Sequence, residues 1–273
     1  MKKFLSAAVV ALFVFCSANA QDMAQATESF NNAVTAYQAD NFTDALAGMQ
    51  KALEIAQASQ EESAASLVAD CKKMIPTIML QLANKDIQAS NFDQALAGLE
   101  ATAAKAVEYG DQETADKAKG FVGTVLLMKG QSLVKAGNVA EAVPVLEKAA
   151  AEGPQNQAKA YKLLQNIYQS KMLAAYKGKK NDEAVEAAAK MLSYGENANA
   201  YKIGGMAAIA AKKIDQGIEW LEKATPDASV NYNLAKAYEG KGNNAKACSY
   251  YKQIVADKNY GEFAKAKVTA LCK

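Results

Sequence analysis

The sequence predicts an all-α protein built as an α-solenoid of antiparallel helix pairs, and three observations predict it. A phrase recurs, with NFTDALAGMQKAL beginning at Asn41 and NFDQALAGLEATA at Asn91. Weaker copies continue down the chain, each with a small residue at the same place. Around every copy the apolar residues return at three- and four-residue spacing, the period of a helix and not of a strand.

The small residues are Ala45, Ala95, Ala142, Ala184, Gly217 and Ala247, at intervals of 50, 47, 42, 33 and 30. Internal periods of this size mark stacked units, none of which can bury its apolar face alone. Each unit reads as two helices. Asn41, Asn91, Asn138 and Asn243 stand where a cap would open the second helix, and Asp44, Gln94 and Glu141 follow the first three at capping-box spacing. After the caps, Ala45, Met49, Ala52 and Leu53, or Ala142, Val143, Leu146 and Ala149, form the apolar stripe. Gly137 and Gly242 end two of the first helices, where a left-handed residue closes a helix cheaply.

Two helices joined by a tight turn approach closely only where neither carries bulk. Ala33, Ala83, Gly130, Gly205 and Ala235 meet that need on the first helices, while Met172 departs from it. Met49, Leu99, Leu146, Leu221 and Tyr251 are expected to fill the wider part of each interface. Pro76, Pro154 and Pro226 are expected at helix starts or linkers, and Pro144 just inside a helix. A last helix, Glu262 to Cys272, follows the turn at Asn259-Tyr260-Gly261 and is expected to cap the sixth pair. The long first intervals imply extended helices.

The first twenty residues read as an address. Lys2 and Lys3 precede an apolar run from Leu5 to Phe15, and Ala18-Asn19-Ala20 offers a cleavage site before Gln21. The run is shorter than the ~20 apolar residues of a permanent span. Cys16 invites a lipoprotein reading, but Phe15 stands where a lipobox carries Gly or Ala. The expected organisation is therefore a signal peptide over 1–20 and a helical array over 21–273. The mature chain is expected in the periplasm or outside the cell, without an integral membrane segment.

Charge and composition narrow the chemistry. There are 31 basic and 29 acidic residues, every basic one is Lys, and there is no His. Subtracting Lys2 and Lys3 from 31 leaves 29 against 29, a neutral mature chain without the basic face that nucleic-acid binding needs. Without His there is no Ser-His-Asp or Cys-His arrangement and no HExxH zinc site. No CxxC pair, GxSxG elbow or complete phosphate-binding loop occurs, and Gly240-Lys241-Gly242 reads as a helix-connecting turn. The sequence thus points to a non-enzyme with no cofactor and no metal.

The pattern resembles the tetratricopeptide repeat family, with a small residue in the first helix, Asn or Asp at the turn and Ala twice in the second helix. The last unit, NYNLAKAYEGKGNNAKACSYYKQIV, carries Leu234, Ala235, Tyr238, Gly242, Ala247 and Tyr251 in register. The resemblance runs from Thr27 to Val255. It is specific in the final two units and over 126–152, and looser in the first two. It implies a right-handed superhelix whose first helices line a concave groove. Carried over by position, that groove takes Phe30, Val34 and Tyr37, then Leu80, Asn84 and Ile87, then Leu127, Gln131 and Val134. Gln169, Leu173 and Tyr176 follow, then Lys202, Met206 and Ile209, then Tyr232 and Lys236. Each is also readable as ordinary core.

Such a lining suits a protein or peptide partner held by pockets and amide hydrogen bonds. The function expected is a non-catalytic scaffold or adaptor; the alternative is a structural subunit of a cell-envelope assembly or division machine. Export would leave Cys71, Cys248 and Cys272. Eleven residues separate Cys248 from Asn259, and eleven separate Gly261 from Cys272. Equal rise along antiparallel helices brings Cys248 and Cys272 opposite each other, either as a disulfide or as two small buried residues. Cys71 is expected as a buried free thiol.

Overall fold

The computed structural model describes residues 22–272, so the signal segment at 1–20 and its cleavage site lie outside the described residues. Every regular element among the described residues is a helix. They fall into two compact units. The first, residues 22–156, holds the hairpins α1 (22–38) with α2 (Phe42–Ala58), α3 (Ala64–Gln88) with α4 (Phe92–Tyr109), and α5 (Gln112–Lys135) with α6 (Val139–Ala151). The second, from Gln157, holds most of α7 (Pro154–Lys177) with α8 (Asn181–Ser193). It continues with α9 (Gly205–Ala210) and α10 (Ile214–Lys223), then α11 (Ala228–Gly240) and α12 (Asn244–Lys252). A π-helical turn at Ala200–Gly204 leads into α9, and α13 (Gly261–Leu271) ends the chain.

Among the described residues one turn is used six times. Asp40, Ser90, Gly137, Lys179, Lys212 and Gly242 each adopt positive φ, between 56° and 82°, immediately before the residue that caps the second helix. In each case the capping residue's N–H donates back five residues, as from Asn41 to Ala36, Lys180 to Ala175 and Asn243 to Tyr238, all at 2.9 Å. The positive-φ residue donates back three, satisfying a second orphan carbonyl. Every hairpin thus closes one helix and opens the next with no spare residue. The Asn caps are less uniform than the sequence implies. Asn41 and Asn243 accept from the backbone N–H three residues on, whereas Asn91 and Asn138 occupy the cap position without that side-chain bond.

The small residues do what their spacing implies. Ala45, Ala95, Ala142, Ala184 and Ala247 are fully buried, and Gly217 is buried with them. The glycines show how close the helices come. A Cβ at Gly130 would fall 2.5 Å from Leu146 Cδ2, and one at Gly205 2.7 Å from Leu221 Cγ. Those leucines, with Met49, Leu99 and Tyr251, are almost wholly buried, each side chain contributing roughly 1.5–3 kcal/mol. Met172 is fully buried too. It shares a core cluster with Ala184, Ala187 and Ala188 of α8, small residues beside which an unbranched side chain can fill space.

One expectation needs correction. Pro76 is not at a helix start but inside α3, with its ring buried. The long interval between the first two units is taken up by continuous helix from Ala64 through the proline. Proline cannot donate to the carbonyl four residues back, so Lys72 loses its helical donor there. Pro154 opens α7, Pro226 lies in the linker before α11, and Pro144 lies in the second turn of α6.

At the end of the second unit, α13 packs on α12. Gly261 permits a close approach, since a Cβ there would lie 2.7 Å from Val255 O. At the other end Cys272 pairs with Cys248, their Cα atoms 5.6 Å apart.

Candidate functional site

In the first unit the first helices lie side by side, α3 packing against α5. Asn84 and Gln131 therefore stand on neighbouring helices, Asn84 half-buried and Gln131 exposed. Phe30 and Tyr37 on α1 are half-buried against the core of their own hairpin, with the Tyr37 ring 5.5 Å from Phe42. Leu80 and Leu127 are buried and belong to the core and not to a lining.

In the second unit α9 packs against α11. This places Met206 in the same core cluster as Tyr232, while Gln169 and Tyr176 stand half-buried on α7 and Lys236 is exposed on α11. Lys202, in the π-helical turn before α9, ties that turn to the start of α11 by bonding the Asp227 carboxylate. Asp227 also caps α11, accepting from Val230 N at 2.9 Å and Ser229 Oγ at 2.7 Å. Burial alone would push this carboxyl up; the bonds from Lys202, Val230 and Ser229 outweigh it and hold it at about 2. Met206 packs half-buried against the terminal core.

Tyr232 is the centre of an aromatic group. Tyr260 stacks on it at 4.6 Å, Phe263 meets it edge-on at 5.6 Å, and Lys236 Nζ lies 5.6 Å over its ring. Below them Tyr251 donates to Glu239 at 2.7 Å, and Lys267 bonds the same carboxylate. The Lys267 bond is the main cause of Glu239's lowered pKa, with burial opposing it; burial pushes the Tyr251 phenol up.

Tyr260, Phe263 and Lys267 are absent from the sequence-derived lining, because α13 was read only as a cap. Their signal was the spacing: 260, 263 and 267 share one helical face. Also missed was an open trough of about 1080 Å³ on the α7–α8 hairpin, between Tyr168, Lys171 and Ala174 on one side and Ala187 and Lys190 on the other. A further aromatic group joins Tyr161 and Tyr168 to Tyr194 at 5.4 and 5.9 Å.

Among the described residues no three His, Cys, Asp or Glu side chains gather as a metal set. No described helix is long and apolar enough to cross a membrane. Cys71 is fully buried, and burial with the nearby Asp70 charge pushes its thiol up to about 11, the opposite of what a nucleophile needs.

No family model matches the chain, and no curated protein matches it. Solved structures do. The chain is similar to the yeast Sti1 TPR2AB domain, in a structure described as its complex with pHSP90. Identity there is 15%, TM-score 0.37, with 92% of this chain and 99% of that one covered. It is similar to a tetratricopeptide repeat protein of Parabacteroides merdae at 14% identity and TM-score 0.32, covering 91% and 99%. For pilF of Pseudomonas aeruginosa the values are 16%, 0.35, 90% and 99%. Likenesses this distant say nothing of what the chain binds.

Proposed function

We propose that this array of tetratricopeptide-type helix pairs is a non-catalytic scaffold that holds a protein or peptide segment along its first helices. The observation that carries the reading is the pairing of neighbouring first helices within each unit. Asn84 and Gln131 present amides from α3 and α5, and Tyr232 and Lys236 present a ring and an ammonium from α11, with Met206 of α9 in the same core cluster as Tyr232. An amide-and-aromatic face on rigid helices suits an extended or helical segment, whose backbone it bonds and whose apolar side chains it covers. The periplasm or the outside of the cell is part of the proposal, supported by the Lys2-Lys3 start, the apolar run after it and the Cys248–Cys272 pairing.

Affinity capture from an envelope fraction with the mature chain tests it. Asn84→Ala with Gln131→Ala should weaken recovery of a stoichiometric protein partner, by roughly 1–2 kcal/mol in binding, and leave the melting profile unchanged. Lys51→Ala with Glu100→Ala, on exposed second-helix positions, should leave recovery intact. Loss confined to the second pair would favour the structural-subunit alternative, whose contacts lie on the outer helices. Recovery of a small molecule and no protein would sink the scaffold reading.

A further inference from the structure

The neutrality of the mature chain conceals an opposition between its two units. Residues 22–156 carry ten Lys against eighteen Asp and Glu, a balance of −8. Residues 157–273 carry nineteen Lys against eleven, a balance of +8. Part of that excess gathers at the hairpin turns. In the first unit the positive-φ residue and the cap after it are Asp40-Asn41, Ser90-Asn91 and Gly137-Asn138. In the second, two of the three turns carry Lys179-Lys180 and Lys212-Lys213 instead. Lysine is a poor choice at both positions. Glycine suits positive φ, and Asn, Asp or Ser suits the cap, where Lys180 and Lys213 make no side-chain bond. Two local rules broken together, in the same two turns, point to a role outside folding.

These turns stand in a row. Lys213 Nζ reaches Asp182 Oδ1 at the start of α8, 2.8 Å away, and Lys241 of the third turn bonds Asp215 at the start of α10. The two bridges link the α7–α8, α9–α10 and α11–α12 turns along one edge, with Lys177 beside them at the end of α7. Lys177, Lys179, Lys180, Lys212, Lys213 and Lys241 are all exposed. Asp182, Glu183 and Asp215 engage Lys213, Lys180 and Lys241. Lys177, Lys179 and Lys212 meet no carboxylate at ion-pair distance among the described residues.

We infer that this lysine edge docks the acidic first unit of a second copy of the chain, so that copies associate head to tail. A membrane or nucleic acid of uniform negative charge would attract the second unit and repel the first. A second copy offers each unit its opposite. The first unit supplies exposed carboxylates that meet no lysine at ion-pair distance among the described residues, Glu62, Asp70 and Asp116 among them. Because the two surfaces differ, each contact leaves one basic edge and one acidic unit free, and the assembly either extends or closes into a ring. The inference is independent of the scaffold reading, which needs a single copy.

Sedimentation equilibrium of the full mature chain tests it. The average mass should rise with protein concentration at about 20 mM NaCl and return to the monomer at about 500 mM, where exposed charges are screened. Lys179→Gly with Lys212→Gly should weaken association about tenfold at low salt without lowering the melting temperature, since glycine suits both positions. Lys159→Gln with Lys258→Gln removes the same charge from exposed sites elsewhere in the second unit and should leave association nearly unchanged. Carbodiimide treatment of mixed ¹⁴N and ¹⁵N chains should join peptides holding Lys177, Lys179 or Lys212 to first-unit carboxylates across the two isotopes. Equal loss in the two double variants would assign the effect to net charge and overturn the edge. Association that survives high salt, or crosslinks confined to one isotope, would overturn the inference as well. So would a chain that stays monomeric at low salt, whether or not it binds phosphatidylglycerol vesicles or duplex DNA.

Discussion

Gly205 and Gly217 face each other across the α9–α10 hairpin. A Cβ at 205 would lie 3.2 Å from the carbonyl oxygen of Gly217, and a Cβ at 217 would lie 3.0 Å from that of Gly205. The same two sites also abut Leu221 and Ile209, whose side-chain carbons would stand 2.7 and 2.6 Å away. Replacing glycine with alanine in a helix interior ordinarily gains ~1 kcal/mol. Here the overpacking wins: Gly217→Ala should destabilise the protein by roughly 1–3 kcal/mol. Gly98→Ala is the control, because its nearest neighbour, Ala83 Cβ, would be at 3.3 Å, a contact that a shift of a few tenths of an ångström between the helices relieves. It should be close to neutral. Thermal melts of the two variants decide, and equal effects would show that close approach does not govern α9–α10.

The repeated turn carries strain that glycine would relieve. Lys179 and Lys212 adopt φ of 58° and 64°, where an L side chain costs roughly 1–2 kcal/mol. Part of that relief is offset by the greater freedom of glycine in the unfolded chain. Lys179→Gly and Lys212→Gly should therefore each stabilise by roughly 0.5 kcal/mol. Gly137→Ala, at φ 82° in the same turn, should destabilise by about 1 kcal/mol. Denaturant midpoints measure both directions, and stabilisation by Gly137→Ala would contradict the shared turn geometry.

These turns also show where the sequence was legible and where it was not. Gly137 and Gly242 announce a left-handed residue because glycine is favoured there. Asp40, Ser90, Lys179 and Lys212 adopt the same conformation silently, since the packed hairpin on either side fixes their backbone. The small-residue register could be read because close helix approach tolerates so few side chains. Pro76 misled because proline usually marks a helix start, while the burial of α3 against its neighbours carries the helix through it. At the candidate site, position along the first helix predicted which residues share a face, but not which of them the core takes up. Leu80 and Leu127 went into the core, and Gln131 stayed out. The aromatic group on α13 was missed because its partner, Tyr232, is 28 residues earlier in the chain than Tyr260, and only tertiary packing joins them.

Asp227 should make part of the stability of the second unit pH-dependent. Its carboxyl stands at 3.8 in a model peptide and at about 2 in the folded chain, so folding favours the ionised form. A depressed folded pKa contributes stability that is fully present above 3.8 and is lost as pH falls toward 2. The side chain is 42% exposed and screened by solvent, so the contribution is ~1 kcal/mol or less. Asp227→Asn keeps an acceptor for the Val230 N–H but loses the pair with Lys202. The melting difference between wild type and Asp227→Asn should be constant from pH 7 to 5 and shrink between pH 4 and 2. A difference that persists at pH 2 would mean the residue acts through its cap alone.

The cysteines should behave as one pair and one inert thiol. Cys248 lies in α12 and Cys272 just beyond α13, and their 5.6 Å Cα separation is within the range a disulfide spans without moving the backbone. Closing a loop of 24 residues' separation restricts the unfolded chain and should stabilise the second unit by ~3 kcal/mol. Cys71 is fully buried, and with its thiol pushed up to about 11 almost none is thiolate at pH 8. Alkylation of the folded mature chain at pH 8 without reductant should add no label. The same reaction in denaturant, still without reductant, should add one label, at Cys71. With reductant and denaturant it should add three. Cys272→Ser should lower the melting temperature of the oxidised protein to that of the reduced wild type, because both lack only the bridge. Label on Cys248 or Cys272 before reduction would refute the bridge, and label on Cys71 in the folded chain would show that the α3 core opens more readily than its burial implies.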